Sequence, residues 1–224
     1  MAAREMSDPE KLTSSLLDEI KNHSNFLTDL SRPEPHTGGG SASAYVGGVA
    51  SILILKVCRI EAARKLASPE ITEGWNSLAR KCEECAQRFM GLVRDDSEAY
   101  QEWMVLRKLN NAQNQVKKAF MNVVGVPVRI IRLSAEALEV ARRTLEGCRP
   151  HLASDIMVAV EMLASVMNGA LRIAQANLEE VSGKCGCEEL EHELLNAVNV
   201  GMGRYRTLVR KYPTGTVMMF SDTL

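Results

Sequence analysis

Two adjoining stretches decide the fold of this chain: a glycine turn, Pro35-His36-Thr37-Gly38-Gly39-Gly40-Ser41, and an uncharged run, Ala42-Ser43-Ala44-Tyr45-Val46-Gly47-Gly48-Val49-Ala50-Ser51-Ile52-Leu53-Ile54-Leu55. Three consecutive glycines let the backbone approach another surface without an intervening Cβ. Ser41 is predicted to be a helix N-cap, because its hydroxyl can accept a hydrogen bond from a first-turn amide. A helix that is apolar on all sides must be buried, so we expect the uncharged run to form the central helix.

One face of this predicted helix consists of small residues, namely Ala44, Gly47, Gly48 and Ser51. Glycine inside a helix costs about 1 kcal/mol relative to alanine. The pair Gly47-Gly48 is therefore expected where a neighbouring helix packs closely enough to offset that cost. The glycine turn has two interpretations that its own sequence leaves open. It is either a connecting loop or a ligand site where amides and the helix dipole meet a polar or negative group.

Length and composition place the chain among single-domain helical proteins. We assign its 224 residues to one domain, with a core at about 10–210 and a C-terminal tail at 211–224. A hydrophobic share of 46% with only 4% aromatic residues favours helices over sheets. The formal net charge of −1 gives no reason to expect nucleic acid or a membrane as a partner. Residues 1–9 lack the apolar core of a signal peptide, so a cytoplasmic protein is expected.

Hydrophobic periodicity predicts long helices, and no alternating strand pattern of useful length occurs. Proline is expected to end a helix at position 69 and to kink or restart one at position 127. The fold class is therefore predicted to be all-α, an up-and-down bundle. The predicted helices cover 9–30, 42–66, 75–108, 116–146, 155–178 and 188–210.

One carboxyl group falls inside the apolar stripe of the helix predicted at 75–108. Asp96 lies four residues from both Leu92 and Tyr100, which belong to that stripe. Desolvation there raises the pKa of an aspartate above its usual value of about 3.9, which suits a group that exchanges protons near neutral pH. The alternative is a structural aspartate satisfied by a hydroxyl, an arginine or a helix terminus. Asp95 points elsewhere and is expected to be solvated.

The helix predicted at 155–178 is apolar except for one line of polar side chains. These recur at steps of four and three, at Glu161, Ser165, Asn168, Arg172 and Gln175. Such a line is typical of a solvent face, although on so apolar a helix it could also line a cleft. Asp155 falls at the start of this helix, where an acidic side chain caps amides and favours the dipole.

Cysteine spacing offers one further interpretation, a zinc module. Cys82 with Cys85 and Cys185 with Cys187 could supply four thiolates. The first pair lies in a helical pattern, however, whereas zinc knuckles place such pairs in tight turns. We therefore expect no metal site.

In several short motifs the chain resembles the cyclodeaminase/cyclohydrolase family, the helical folate enzymes that form the second half of formiminotransferase-cyclodeaminase. The resemblance covers roughly residues 16–178, and its motifs occur in the family's order. They are Gly38-Gly39-Gly40-Ser41, Asp96-Ser97-Glu98-Ala99-Tyr100, Val126-Pro127, Ser154-Asp155 and Asn177-Leu178.

The resemblance implies an all-α homodimer that acts, without a cofactor, on a tetrahydrofolate carrying a one-carbon unit. In cyclodeamination, N10 attacks a formimino carbon and ammonia leaves, which gives the methenyl form. In cyclohydrolysis, the methenyl bridge is hydrated to a formyl group. Asp96 matches the aspartate to which the family assigns the proton shuttle. The residues implied to bind the substrate are Gly38, Gly39, Gly40, Ser41, Asp155 and Asn177.

The chain departs from the family's pattern at three places. Thr37 replaces a proline before the glycines, and Ile173 replaces an asparagine four residues before Asn177. Leu109-Asn110-Asn111 replaces Leu-Pro-Lys, and the stretch from there to Pro127 is shortened. These departures keep an alternative from another class open: a non-catalytic helical protein that binds folate or dimerises on the same scaffold.

Overall fold

The structure, a computed structural model, describes residues 23–33, 37–64, 68–108, 113–181 and 188–213. These residues form helices and contain no strand, so the predicted all-α fold class is confirmed. A 3-10 turn at Pro150–Leu152 connects the fourth and fifth helices. The helices are α1 His23–Leu30, α2 Gly39–Ala62, α3 Pro69–Lys108, α4 Gln113–Gly147, α5 Ala153–Val181 and α6 Glu188–Lys211.

Several predictions fall on residues that the structure does not describe. They are the first part of the helix predicted at 9–30, the departure at Leu109-Asn110-Asn111 and the C-terminal tail beyond position 213. The single-domain assignment stays a prediction.

Helix α2 is the central helix of the bundle and contacts α3, α4 and α5. Its small face is buried, as predicted, and α3 packs directly on it. An ideal Cβ at Gly47 would lie 2.4 Å from Cε1 of Phe89, and one at Gly48 would lie 2.3 Å from Cε of Met90. The prediction that this glycine pair marks a close helix contact is therefore confirmed.

The start of α2 differs from the prediction. The N-cap is Gly38, whose backbone is extended, and the helix already begins at Gly39. The first helical hydrogen bond runs from the amide of Ala42 to the carbonyl of Gly38. Ser41 is therefore the third residue of the helix rather than its N-cap, because the second and third glycines of the turn are already helical.

The break predicted at Pro69 is confirmed, because α2 ends at Ala62 and α3 begins at Pro69. Pro69 opens α3, six residues before the predicted start, because the first turn needs no N–H from that position. The hydroxyl of Ser68 accepts a hydrogen bond from the amide of Ile71 and so contributes to the cap. Pro127 lies within α4, which runs unbroken from Gln113 to Gly147.

A fully buried carboxylate connects the end of α2 to the connection between α4 and α5. Glu61 accepts hydrogen bonds from the backbone N of Arg149 at 3.0 Å and from its Nε at 2.9 Å. Burial alone would raise the pKa of Glu61, but these bonds and the charges of Arg149 and Arg64 outweigh it, so the pKa lies below its ordinary value.

The polar line on α5 is a solvent face, since Glu161, Ser165, Asn168, Arg172 and Gln175 are all exposed. The structure of the single chain therefore favours the solvent-face interpretation of this line. Two segments, α2 and Pro150–Glu179, are long and apolar enough to cross a membrane by length and composition alone. Core helices pass the same test, and more than half of the apolar window in α2 is buried inside this protein.

Candidate functional site

A cavity of about 250 Å³ lies where the N-terminus of α2 meets α3, α4 and α5. The glycine turn forms one of its walls, which favours the ligand-site interpretation over that of a simple connection. The residues that line the cavity are Thr37, Gly38, Gly39, Gly40, Asp96, Tyr100, Val123, Ile173 and Asn177.

The carboxyl group of Asp96 caps α2 from a different helix. Its Oδ2 accepts hydrogen bonds from both the backbone N and the Oγ of Ser41, each at 2.7 Å. The Ser41 amide belongs to the first helical turn and has no partner within α2. The carboxylate therefore satisfies a free donor and lies at the positive end of the helix dipole.

Ser41 lies behind this carboxyl rather than in the cavity, because it is fully buried and does not line the wall. Ser41 therefore has no surface in this cavity, and its assignment to substrate binding stays a prediction. Its Oγ also lies 3.3 Å from the carbonyl O of Val93 and 3.2 Å from Oγ of Ser97. Ser41 reaches the cavity only through Asp96.

Asp96 has the electrostatic environment that the sequence predicted. Burial raises the pKa of its carboxyl above the ordinary value, and the two hydrogen bonds from Ser41 counteract this only in part. Asp95, one residue away, points outward and pairs with Arg129 at 2.7 Å. Among the described residues that line the cavity, Asp96 is the only carboxylate and no lysine or arginine is present. The cavity thus presents one carboxyl group suited to proton exchange.

The third glycine of the turn makes room for this carboxyl. An ideal Cβ at Gly40 would lie 2.1 Å from Oδ1 of Asp96 and 2.6 Å from its Cγ. Any larger residue at this position would displace the carboxyl from Ser41. This close approach explains why the turn needs a glycine immediately before the first residue that Asp96 contacts.

Apolar side chains form the opposite walls. An ideal Cβ at Gly39 would lie 2.9 Å from Cδ1 of Ile173, so the glycine turn and α5 nearly touch. The ring of Tyr100 is tilted against that of Trp103, with 5.8 Å between centroids. A flat aromatic or heteroaromatic ring suits these surroundings.

Asn177 contributes an amide group to the cavity. Its Nδ2 donates a hydrogen bond to the carbonyl O of Val123 over 3.3 Å, which joins α5 to α4. Val123 was missed as a lining residue by the reasoning from sequence. Its position four residues before Pro127 was the signal, because a proline leaves that carbonyl without its helical donor.

Asp155 is not brought together with the other predicted residues. It lies in the first turn of α5, and its Oδ2 pairs with Nζ of Lys56 at 2.8 Å. Asn177 lies 22 residues further along the same helix, which corresponds to about 33 Å. Within one chain, Asp155 therefore does not belong to this cavity.

The zinc interpretation receives no support from the described residues. Cys82 and Cys85 are buried in α3, and no group of three metal-ligand side chains occurs in the part of the chain that the structure describes. Cys185 and Cys187 lie outside that part.

A second, larger groove of about 320 Å³ lies between α3, α4 and α6. Two of its charged side chains already have partners: Arg88 pairs with Glu136, and the guanidinium of Arg204 donates a hydrogen bond to the carbonyl of Ala135. We therefore take the smaller cavity at Asp96 as the candidate site.

The fold and the site define an all-α protein in which a glycine turn opens the central helix and a desolvated carboxyl caps it. The sequence matches the formiminotransferase-cyclodeaminase family over residues 22–196, most of the chain, and the protein belongs to that family.

A solved structure shares this fold. The crystal structure of formiminotetrahydrofolate cyclodeaminase from Thermotoga maritima matches with a TM-score of 0.75 and 20% sequence identity. The match covers 92% of this chain and 95% of the other. No curated protein matches the sequence.

Proposed function

We propose that the protein is a folate one-carbon enzyme that forms 5,10-methenyltetrahydrofolate from the formimino derivative and releases ammonia, with Asp96 as its acid–base group. The observation that carries this proposal is the desolvated Asp96 carboxyl, held on one oxygen by Ser41 and placed in the wall of a cavity. Family membership supports the substrate class.

The proposed chemistry needs one group that both accepts and donates a proton. The N10 lone pair attacks the carbon of the protonated formimino group, which forms the C–N10 bond and a tetrahedral carbon. Asp96 accepts the N10 proton and passes it to the departing nitrogen. The bond between carbon and that nitrogen then breaks, and ammonia and the methenyl cation result. A carboxyl whose pKa is raised by burial is suited to both halves of this transfer.

The charge and size of the cavity fit this substrate. The protonated formimino group and the methenyl product are both cations, and the described walls carry one carboxylate and no lysine or arginine. A volume of about 250 Å³ lies below the range of roughly 300–1,000 Å³ that encloses a whole drug-sized ligand. The cavity would therefore hold the ring system, and the remainder of the folate would extend outward.

Ser41 can support both protonation states of Asp96. Its Oγ lies 2.7 Å from Asp96 Oδ2 and 3.3 Å from the carbonyl of Val93. When the carboxyl is ionised, the hydroxyl donates to it. When the carboxyl is protonated, Asp96 donates to Oγ, and the Ser41 hydroxyl turns its hydrogen to Val93 O.

Asp96→Asn tests the proposal. We expect turnover of the formimino substrate to fall by about 10²- to 10⁴-fold, the usual contribution of a general acid–base group. Absorbance of the methenyl product reports the reaction. The matched control is Asp95→Asn, because that neighbouring carboxylate pairs with Arg129 outside the cavity and should leave turnover unchanged.

The same variant should remain folded. Because the folded pKa of Asp96 is raised, its contribution to the free energy of unfolding falls as the pH rises from the unfolded pKa through the folded one. Asp96→Asn is therefore expected to be at least as stable as wild type at pH 7. Equal turnover of the formimino substrate by Asp96→Asn and by wild type would remove Asp96 from the mechanism.

Two other outcomes remain distinguishable. Consumption of methenyltetrahydrofolate by hydration, without reaction of the formimino compound, would identify a cyclohydrolase. Tight folate binding without either reaction would favour the non-catalytic alternative. The homodimer, the cytoplasmic location and a reaction without cofactor stay predictions.

A further inference from the structure

We infer that Pro127 sets the orientation of the Asn177 side chain, so that Asn177 Oδ1 faces the cavity as a hydrogen-bond acceptor for an N–H group of the bound ring. The identity of the ring rests on the proposed function. The orientation itself rests on contacts between α4 and α5.

The carbonyl of Val123 lacks its usual helical donor, the N–H of the residue four positions later. In an α-helix each N–H donates to the carbonyl four residues earlier, so position 127 would serve the carbonyl of Val123. Pro127 lies inside α4 and has no N–H, and its ring crowds that same carbonyl. Val123 is 5% exposed, and an unpaired carbonyl at a buried position is costly.

Asn177 supplies the missing donor from α5. Its Nδ2 donates to the carbonyl O of Val123 over 3.3 Å, between residues 54 positions apart. A carbonyl oxygen only accepts, so Val123 decides which end of the Asn177 amide points towards it. No second hydrogen bond to the Asn177 side chain is made within the described part of the chain. Oδ1, on the other side of the planar amide, is left free.

This orientation of the Asn177 amide makes the cavity selective for ligands that present a hydrogen-bond donor. Asn177 lines the same cavity as Asp96, and the described walls contain no lysine or arginine that would compete for its oxygen. A free amide oxygen accepts from ring N–H and amino groups and is poorly suited to ring carbonyls. The ligand class is therefore a heteroaromatic ring with an N–H or amino edge, as tetrahydropterins have.

Pro127→Ala tests the orientation without reference to any ligand. The new amide at position 127 should donate to the Val123 carbonyl and release Asn177. We expect a changed resonance of the Asn177 side-chain amide in nuclear magnetic resonance spectra. Thermal stability should not fall, since an interior proline is replaced by a good helix former. An unchanged resonance would overturn the inference.

Binding measurements test the consequence for the ligand. The probes are tetrahydrofolate and its analogue in which the 2-amino group is dimethylated, each titrated calorimetrically. Pro127→Ala is expected to bind tetrahydrofolate about five- to tenfold more weakly and to bind the analogue nearly as wild type does. Unchanged affinity of Pro127→Ala for tetrahydrofolate would overturn the acceptor role, whereas an equal loss for both probes would assign the accepted donor to a ring N–H group instead of the 2-amino group. If wild type binds neither probe, the proposed function fails, whereas the amide resonance still decides the orientation.

A double-mutant cycle separates this coupling from independent structural damage. Asn177→Asp places a carboxylate against the Val123 carbonyl in wild type, but not in Pro127→Ala, where the helix satisfies that carbonyl. The stability loss caused by Asn177→Asp should therefore be smaller in the Pro127→Ala background. Additive effects would overturn the inference. Asn168→Asp, at an exposed position on the same helix, is the control and should act equally in both backgrounds.

Discussion

At the scale of a single residue, two effects act in opposite directions on the ionisation of Asp96. Its carboxylate caps α2 through Ser41, which favours the ionised form, while burial favours the neutral form. Burial prevails, and the pKa is raised. A purely structural cap would not need an open cavity beside it. Because this carboxyl has both a raised pKa and a place in the cavity wall, we propose Asp96 as the acid–base group.

The pH dependence of the reaction should report on Ser41. The hydrogen bonds from Ser41 lower the pKa of Asp96, so Ser41→Ala should raise it further. In the proposed mechanism the ionised carboxylate accepts the N10 proton, so the acidic limb of kcat/KM should move to higher pH. The measurement is a pH–rate profile of the variant.

Ser51→Ala is the matched control for this profile. Ser51 is also a buried serine of α2, but its hydroxyl donates to the carbonyl of Gly47, away from the cavity. Its substitution should leave the limb in place. A limb that stays in place in Ser41→Ala would contradict the positioning role of Ser41.

At the scale of elements, the contact between α2 and α3 holds the site together, because the turn lies on one helix and Asp96 on the other. The contact depends on glycines whose missing Cβ atoms let the helix backbones approach. The two glycines of the pair differ in what they meet. Phe89 is a fully buried aromatic ring, whereas Met90 presents the end of a flexible side chain.

Gly47→Ala should therefore destabilise the protein more than Gly48→Ala. A Cβ at Gly47 would lie 2.4 Å from a ring atom of Phe89 that cannot move aside. We expect a loss of about 1–3 kcal/mol in the free energy of unfolding, as for other overpacked cores. At Gly48 the Met90 methyl group can move, so the loss should be smaller. Urea denaturation measures the free energy of unfolding of both variants. Equal losses would contradict a close, rigid contact between Gly47 and Phe89.

At the scale of the whole molecule, one end of the bundle contains the cavity and the other contains a buried carboxylate that forms an ion pair. The end at the glycine turn holds the cavity, with Asp96 and Asn177. The opposite end holds Glu61, whose buried carboxylate ties α2 to the connection before α5 through Arg149. Asp155, which lies 22 residues before Asn177 on α5, pairs with Lys56. Its predicted role in substrate binding stays a prediction.

Glu61→Gln should weaken the bundle without affecting the cavity. Loss of the charged hydrogen bonds to Arg149 should cost about 1–3 kcal/mol in the free energy of unfolding at pH 7. Because the folded pKa of Glu61 is lowered, its stabilisation is present above the unfolded pKa and is lost as the pH falls through the folded one. The difference between variant and wild type should therefore shrink in acid.

Glu73→Gln provides the comparison for this experiment. Glu73 pairs with Arg80 at 2.6 Å, but both side chains are more than half exposed. Exposed ion pairs contribute little to stability, so this variant should unfold as wild type does. A Glu61→Gln protein with wild-type stability at neutral pH would contradict the proposed tie.

The sequence by itself determined the helical class, the close contact at Gly47-Gly48 and the place of Asp96 on a buried stripe. These follow from local rules, namely the 3.6-residue period, the absence of a glycine Cβ and the cost of desolvating a carboxyl. Only the tertiary structure decided that Asp96 caps α2, that Asn177 serves Val123 and that Asp155 lies elsewhere. Ser41 and Asp96 are 55 positions apart, and Asn177 and Val123 are 54 apart. Such pairs meet only when the helices dock, and docking depends on all packed faces at once.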